Sequence, residues 1–96
     1  MRLNLDEMKT IYKYPIEFLS EQTIEVPQGS EILTIQNQYE KPCIWAAVDT
    51  DRTKAPLLKM FIKMVSTGEV IDALPETYLG TCQFSNGAIV FHFFIS

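Results

Sequence analysis

Histidine and cysteine are scarce in this chain, one and two residues among 96. A zinc site needs several nitrogen and sulfur ligands at short spacing. Here Cys43 and Cys82 lie far apart, with no Cys-x-x-Cys pair and no second histidine, so they read as small buried apolar residues rather than a disulfide or metal site. No serine or cysteine spacing marks a catalytic triad. Asp49-Thr50-Asp51-Arg52 departs at once from the alternating oxygen ligands of a calcium loop and reads as solvated loop. No cofactor or metal is expected.

Long apolar runs are missing too. None approaches the roughly 20 residues of a membrane-spanning helix, so no membrane partner is expected. Met1-Arg2-Leu3-Asn4-Leu5-Asp6-Glu7 is mixed and partly acidic, without the apolar centre of a secretion signal, which makes cytoplasmic residence the expectation. Basic residues are outnumbered, 8 against 12 acidic for a net charge of -4. Duplex nucleic acid is therefore excluded as a partner, because that affinity comes from neutralising phosphates with Lys and Arg. No internal repeat or low-complexity tract is present.

What is present is a composition of 47% apolar and 21% charged residues, that of an ordinary globular protein. The length suits one domain able to fold alone. Residues 1–7 read as a flexible N-terminal extension, Met8 as a possible natural initiator, and residues 8–96 as a single β-rich domain.

The end of the chain carries the strongest local signal. Asn86-Gly87 between two β-rich runs marks a two-residue hairpin, since both central positions need positive φ. Ser85 then faces Ala88, and counting outward pairs Phe84 with Ile89, Cys82 with Phe91, Gly80 with Phe93 and Tyr78 with Ile95 on one nearly wholly apolar side. The other side pairs Gln83 with Val90, Thr81 with His92 and Leu79 with Phe94.

Upstream, Lys9 to Tyr14 reads as a strand stopped by Pro15, and Thr23 to Val26 as a second. Pro27-Gln28-Gly29 forms a turn with Pro at its first corner. Glu31 to Gln38 alternates like a half-buried strand. Tyr39 to Pro42 turns the chain, and Cys43 to Val48, apolar on both sides, suits an interior strand covered from two directions. Leu57 to Val65 fits a strand with Leu58, Met60, Ile62 and Met64 inward and Lys59, Phe61 and Lys63 outward, or a short helix; the strand is favoured because so short a helix gains little from propensity. Ser66 to Glu69 followed by Val70-Ile71 resembles a further hairpin. The predicted fold is all-β: a small antiparallel β-sandwich or barrel of seven to eight short strands, with one short helix as the alternative at 57–65.

Two groups carry candidate chemistry. Arg52, Lys54, Lys59 and Lys63 are half of the basic residues, and only Asp51 opposes them between Thr50 and Met64. The outward row Lys59-Phe61-Lys63 could hold phosphates while the ring stacks on a base. The plainer alternative is a lysine-guarded edge strand that resists aggregation. His92, beside Thr81, could move a proton or bind a ligand near neutral pH, or be a structural strand residue. Tyr12, Tyr14, Trp45 and Tyr78 would form a recognition surface if exposed together.

Lys9 to Tyr14, Ile24-Glu25-Val26-Pro27-Gln28-Gly29-Ser30-Glu31-Ile32-Leu33, Pro42-Cys43-Ile44-Trp45-Ala46-Ala47-Val48-Asp49, Gly80 to Phe84 and Val90-Phe91-His92 together resemble a family of short proteins encoded by phages and prophages. The resemblance covers Met8 to Ser96 and implies a setting, the cytoplasm of a host cell, without catalytic residues. It leads to the expectation of a non-catalytic binding module that blocks or sequesters a host defence component. That component is either a host defence protein or a small nucleotide signal held by Arg52, Lys54, Lys59, Phe61 and Lys63, with His92 and Thr81 nearby. The alternatives are a structural protein of phage assembly and a small enzyme acting through His92. Self-association into a homo-oligomer is expected from the two greasy sides of the last hairpin.

Overall fold

The structure is a computed structural model that describes residues 8–51 and 55–96. The expected extension at 1–7 and the site candidates Arg52 and Lys54 lie outside the described residues. Seven strands run in order: β1 Lys9–Pro15, β2 Glu21–Pro27, β3 Glu31–Gln38, β4 Lys41–Asp49, β5 Leu57–Ser66, β6 Thr77–Phe84 and β7 Ile89–Ile95. They form two antiparallel sheets, β1-β4-β3 and β2-β5-β7-β6, consistent with a small β-sandwich. Among the described residues there is no helix, and 57–65 is strand.

Turn chemistry decides the local pairings. Tyr39 and Glu40 both take positive φ, 53° and 65°, which gives β3 and β4 a two-residue hairpin whose twist matches that of the strands. The Pro27 carbonyl accepts from the Ser30 amide at 3.0 Å, so Gln28 and Gly29 are the corners, with φ +87° at Gly29. Pro27 therefore stands one position earlier than predicted, closing β2 instead of opening the turn. At the final hairpin Ser85 joins Asn86 and Gly87 in the left-handed region, and Ala88 donates to the Ser85 carbonyl at 3.1 Å. Ser85 leaves the ladder, and the pairing starts at Phe84 opposite Ile89.

The predicted register of β6 against β7 holds from Phe84 to Gly80 and then breaks. An extra residue at Leu79 places Tyr78 opposite Phe94 and Thr77 opposite Ile95. Such a bulge reverses side-chain parity. Leu79 turns to pack on the core, and Tyr78, expected on the apolar side with Ile95, stands on the opposite face with more than half its surface exposed. Val70-Ile71 pairs with nothing as a strand; residues 69–76 carry no strand, and Val70 is 91% exposed.

The core lies between the sheets. Ile44 and Ile35 face Ile62, Met64, Cys82, Phe84, Phe93 and Ile95. The expected inward set of β5 holds at Ile62 and Met64, whereas Leu58 near the strand's start is exposed. β4 is the middle strand of its sheet, as its apolar run suggested, with Ile44, Ala46 and Val48 fully buried and Trp45 and Ala47 half-buried. Cys43 and Cys82 are free and buried. Burial, and then the neighbouring Cys43 thiol, push the Cys82 thiol above its ordinary pKa.

The sheets approach each other most closely at β3 and β6. A Cβ on Gly80 would stand 2.8 Å from Ile35 Cγ2, so a residue without a side chain is needed there. Above it, Asn37 Nδ2 donates to the Gln83 carbonyl at 2.7 Å and the Ser85 amide donates to Glu40 Oε2 at 2.7 Å. The turn of one hairpin thus caps the strained turn of the other.

Candidate functional site

Strand alternation places Lys59, Phe61 and Lys63 on the outer face of the four-stranded sheet, as predicted. β5 runs between β2 and β7 from Ile62 onward, which removes the edge-guard alternative for Lys63, while Lys59 has only β2 beside it. Across β2 the row meets Glu25 opposite Lys59, Thr23 opposite Phe61 and Glu21 opposite Lys63. Lys63 Nζ lies 4.0 Å from Glu21 Oε1. The cations that sequence leaves nearly unopposed are therefore faced by a carboxylate row from a strand more than thirty positions upstream, and the patch is close to neutral. Phe61 remains 56% exposed in the middle of it.

Beside this row Glu21, Thr23, Phe61, Lys63 and Pro75 line an open groove of about 470 Å³. Pro75 comes from the strandless segment between β5 and β6, which gives that segment a role its sequence did not announce. The groove offers a ring, an ammonium, a carboxylate and a hydroxyl, the mixture that suits a partially polar surface rather than a polyanion.

His92 lies on the same outer face, two positions along β7 from Phe94, which sits opposite Lys63. Its imidazole is held from both sides. Thr81 Oγ1 is 2.8 Å from Nδ1, and Thr67 Oγ1 is 2.7 Å from Nε2. Thr81 also hydrogen-bonds the Tyr78 hydroxyl, and the Tyr78 ring packs on Phe94 at 5.5 Å. A neutral imidazole has one donor and one acceptor nitrogen, so one threonine accepts from the ring and the other donates to it. Both nitrogens are satisfied by hydroxyls. The chain Thr67-His92-Thr81-Tyr78 contains no carboxylate to orient the ring and no activated nucleophile, and its geometry suits tying the turn after β5 to β7 and β6 across the face.

The structure thus unites Lys59, Phe61, Lys63, His92 and Thr81 on one face. Sequence reasoning missed Thr67 and put Tyr78, named there only among the aromatics, on the wrong side of the hairpin. The bulge hid the true place of Tyr78, and Thr67 was hidden by the absence of any local mark that its turn folds back toward β7. The four large aromatics do not assemble: Tyr12 and Tyr14 lie on β1, Trp45 on β4 under the Lys13 ammonium at 5.9 Å, and Tyr78 in the other sheet. Among the described residues no cluster of His, Cys, Asp and Glu comes together as a metal site.

Residues 8–96 match the model of a family described as a domain of unknown function (DUF7352). No curated protein and no solved structure matches the chain.

Proposed function

The chain belongs to the DUF7352 family, and we propose that it is a non-catalytic binding module whose outer four-stranded face occupies a partner protein. The observation that carries this reading is the exposed Phe61 ring set between two charge-matched pairs and beside an open groove. Exposed aromatics bordered by polar groups are the usual anchors of recognition patches. The likeness to short phage and prophage proteins supports a partner drawn from host defence, met in the host cytoplasm.

The placing of Glu25 opposite Lys59 and the pairing of Glu21 with Lys63 favour a protein over a nucleotide, since a phosphate would have to outweigh two neighbouring carboxylates. The test has two arms. Calorimetry against cyclic and linear nucleotides is expected to give no heat, and affinity capture from host extract is expected to retain a partner that Phe61→Ala loses. Heat with a nucleotide that Lys63→Ala abolishes would transfer the face to a small anionic ligand; capture unaffected by Phe61→Ala would remove the face from recognition altogether.

A further inference from the structure

The two sheets have four edge strands; β3 and β6 pack against each other, whereas β1 and β2 have no strand on their outer side. Their backbone polarity is set by the bonds at the strand ends. The Thr50 amide donates to the Met8 carbonyl and the Ile16 amide to the Pro42 carbonyl, and in an antiparallel ladder such pairs recur at every second residue. Thr10, Tyr12 and Tyr14 therefore bond to β4, while the amides and carbonyls of Lys9, Ile11 and Lys13 point away from the sheet. On β2 the Met64 amide donates to the Ser20 carbonyl and the Gln28 amide to the Pro56 carbonyl. By the same alternation Gln22 and Ile24 bond to β5, while Glu21, Thr23 and Glu25 direct theirs outward. Among the described residues no backbone hydrogen bond reaches these outward groups.

The outward triplets are complementary. One reads Lys9, Ile11, Lys13 and the other Glu21, Thr23, Glu25, each with its charges four positions apart and an uncharged residue between. All six residues are exposed. Self-pairing of either edge about its central residue would set like charges face to face, a destabilising arrangement. Pro15 and Pro27 end the strands at outward positions, where their missing N–H costs the native ladders nothing.

We propose that copies of this chain join edge to edge, β1 of one copy pairing antiparallel with β2 of the next, Lys9 opposite Glu25, Ile11 opposite Thr23 and Lys13 opposite Glu21. All three pairs then exchange backbone hydrogen bonds, and their side chains lie on one continuous face. The two prolines bracket this register. Sliding it by two residues one way sets Pro15 against Glu21 and Pro27 against Lys9, and sliding it the other way sets Ile11 against Glu21 and strands the charge of Lys13. The present contacts of these side chains, Lys9 with Asp49 at 3.1 Å and with the Gly29 carbonyl at 3.2 Å, Lys13 with Gln38 at 2.6 Å and over the Trp45 ring, and Glu21 with Lys63, lie at the surface, and the new neighbours replace or extend them. Because donor and acceptor edges differ, the contact is head to tail and yields a closed ring or a growing chain.

Sedimentation of the full chain over a range of concentration tests this without reference to the binding reading above. Wild type is expected above its monomer mass of 11.0 kDa. Ile11→Pro, which removes an outward amide and no bond to β4, is expected at monomer mass while still unfolding cooperatively. The charge reversals Lys9→Glu with Lys13→Glu, and Glu21→Lys with Glu25→Lys, are each expected to be monomeric alone and to recover the higher mass when mixed. A wild-type chain that stays monomeric at every concentration overturns the proposal. So does an oligomer that survives Ile11→Pro, or a mixture of the two reversed proteins that does not reassociate.

Discussion

Two pairs of edge strands in this molecule have opposite fates. β3 and β6 are drawn together, with Gly80 against Ile35 and Asn37 and Glu40 reaching over to Gln83 and Ser85. β1 and β2, which carry alternating charge, are left open. The difference shows how a two-sheet protein can close one flank with a missing side chain and a pair of turns while leaving the backbone groups of the other unpaired.

The sharpest way to break the closed flank is Gly80→Leu. Its Cβ meets Ile35 at once, and the loss expected is about 3 kcal/mol, the upper range of overpacking. A denaturant midpoint equal to wild type would show that β3 and β6 part easily. Gly87→Val, at φ +87°, is expected to cost about 2 kcal/mol by forcing a β-branched residue into the left-handed region, read from the same unfolding curves. Glu40→Ala removes the acceptor of the Ser85 amide, and about 1 kcal/mol is expected to go with an exposed charge-assisted bond. On the open flank Ile11→Pro leaves the bonds to β4 in place and should cost about 1 kcal/mol, for fixing φ at an extended strand position, so the ratio of its effect to that of Gly80→Leu measures the contrast between the flanks.

Acidity offers a finer probe of the closed side, where Cys82 is buried. Its folded thiol is harder to ionise than an unfolded one, so this group adds stability below the unfolded value near 9.0 and loses it as pH rises past that point toward the folded one. Tyr14 on the open flank shifts the same way, by burial alone. Melting temperature is expected to fall above pH 9, and Cys82→Val is expected to flatten the first part of that fall; an identical alkaline profile in the variant would place the effect in Tyr14 or elsewhere.

Local pattern revealed a good deal of this. The strand at 31–38, the outward row on β5 and the pairing of Thr81 with His92 were all legible, because alternation and the Asn86-Gly87 turn act within a few residues. The bulge at Leu79 was not, since the residue that makes it useful, Ile35 beside Gly80, belongs to another sheet. Nor was the neutral character of the candidate site. Lys59 and Lys63 look unopposed along the chain, and only the pairing of β5 with β2 brings Glu25 and Glu21 across from them.

Alternation of apolar and polar residues, with turn residues that tolerate positive φ, was enough to dictate an all-β chain and the facing of most of its strands, because those preferences are properties of neighbouring residues. Which strands became neighbours, which edges met and which were left bare depended on contacts between distant segments. Such contacts are selected by how whole sheets fit and hydrogen-bond, a sum over many residues that no short stretch of the chain contains.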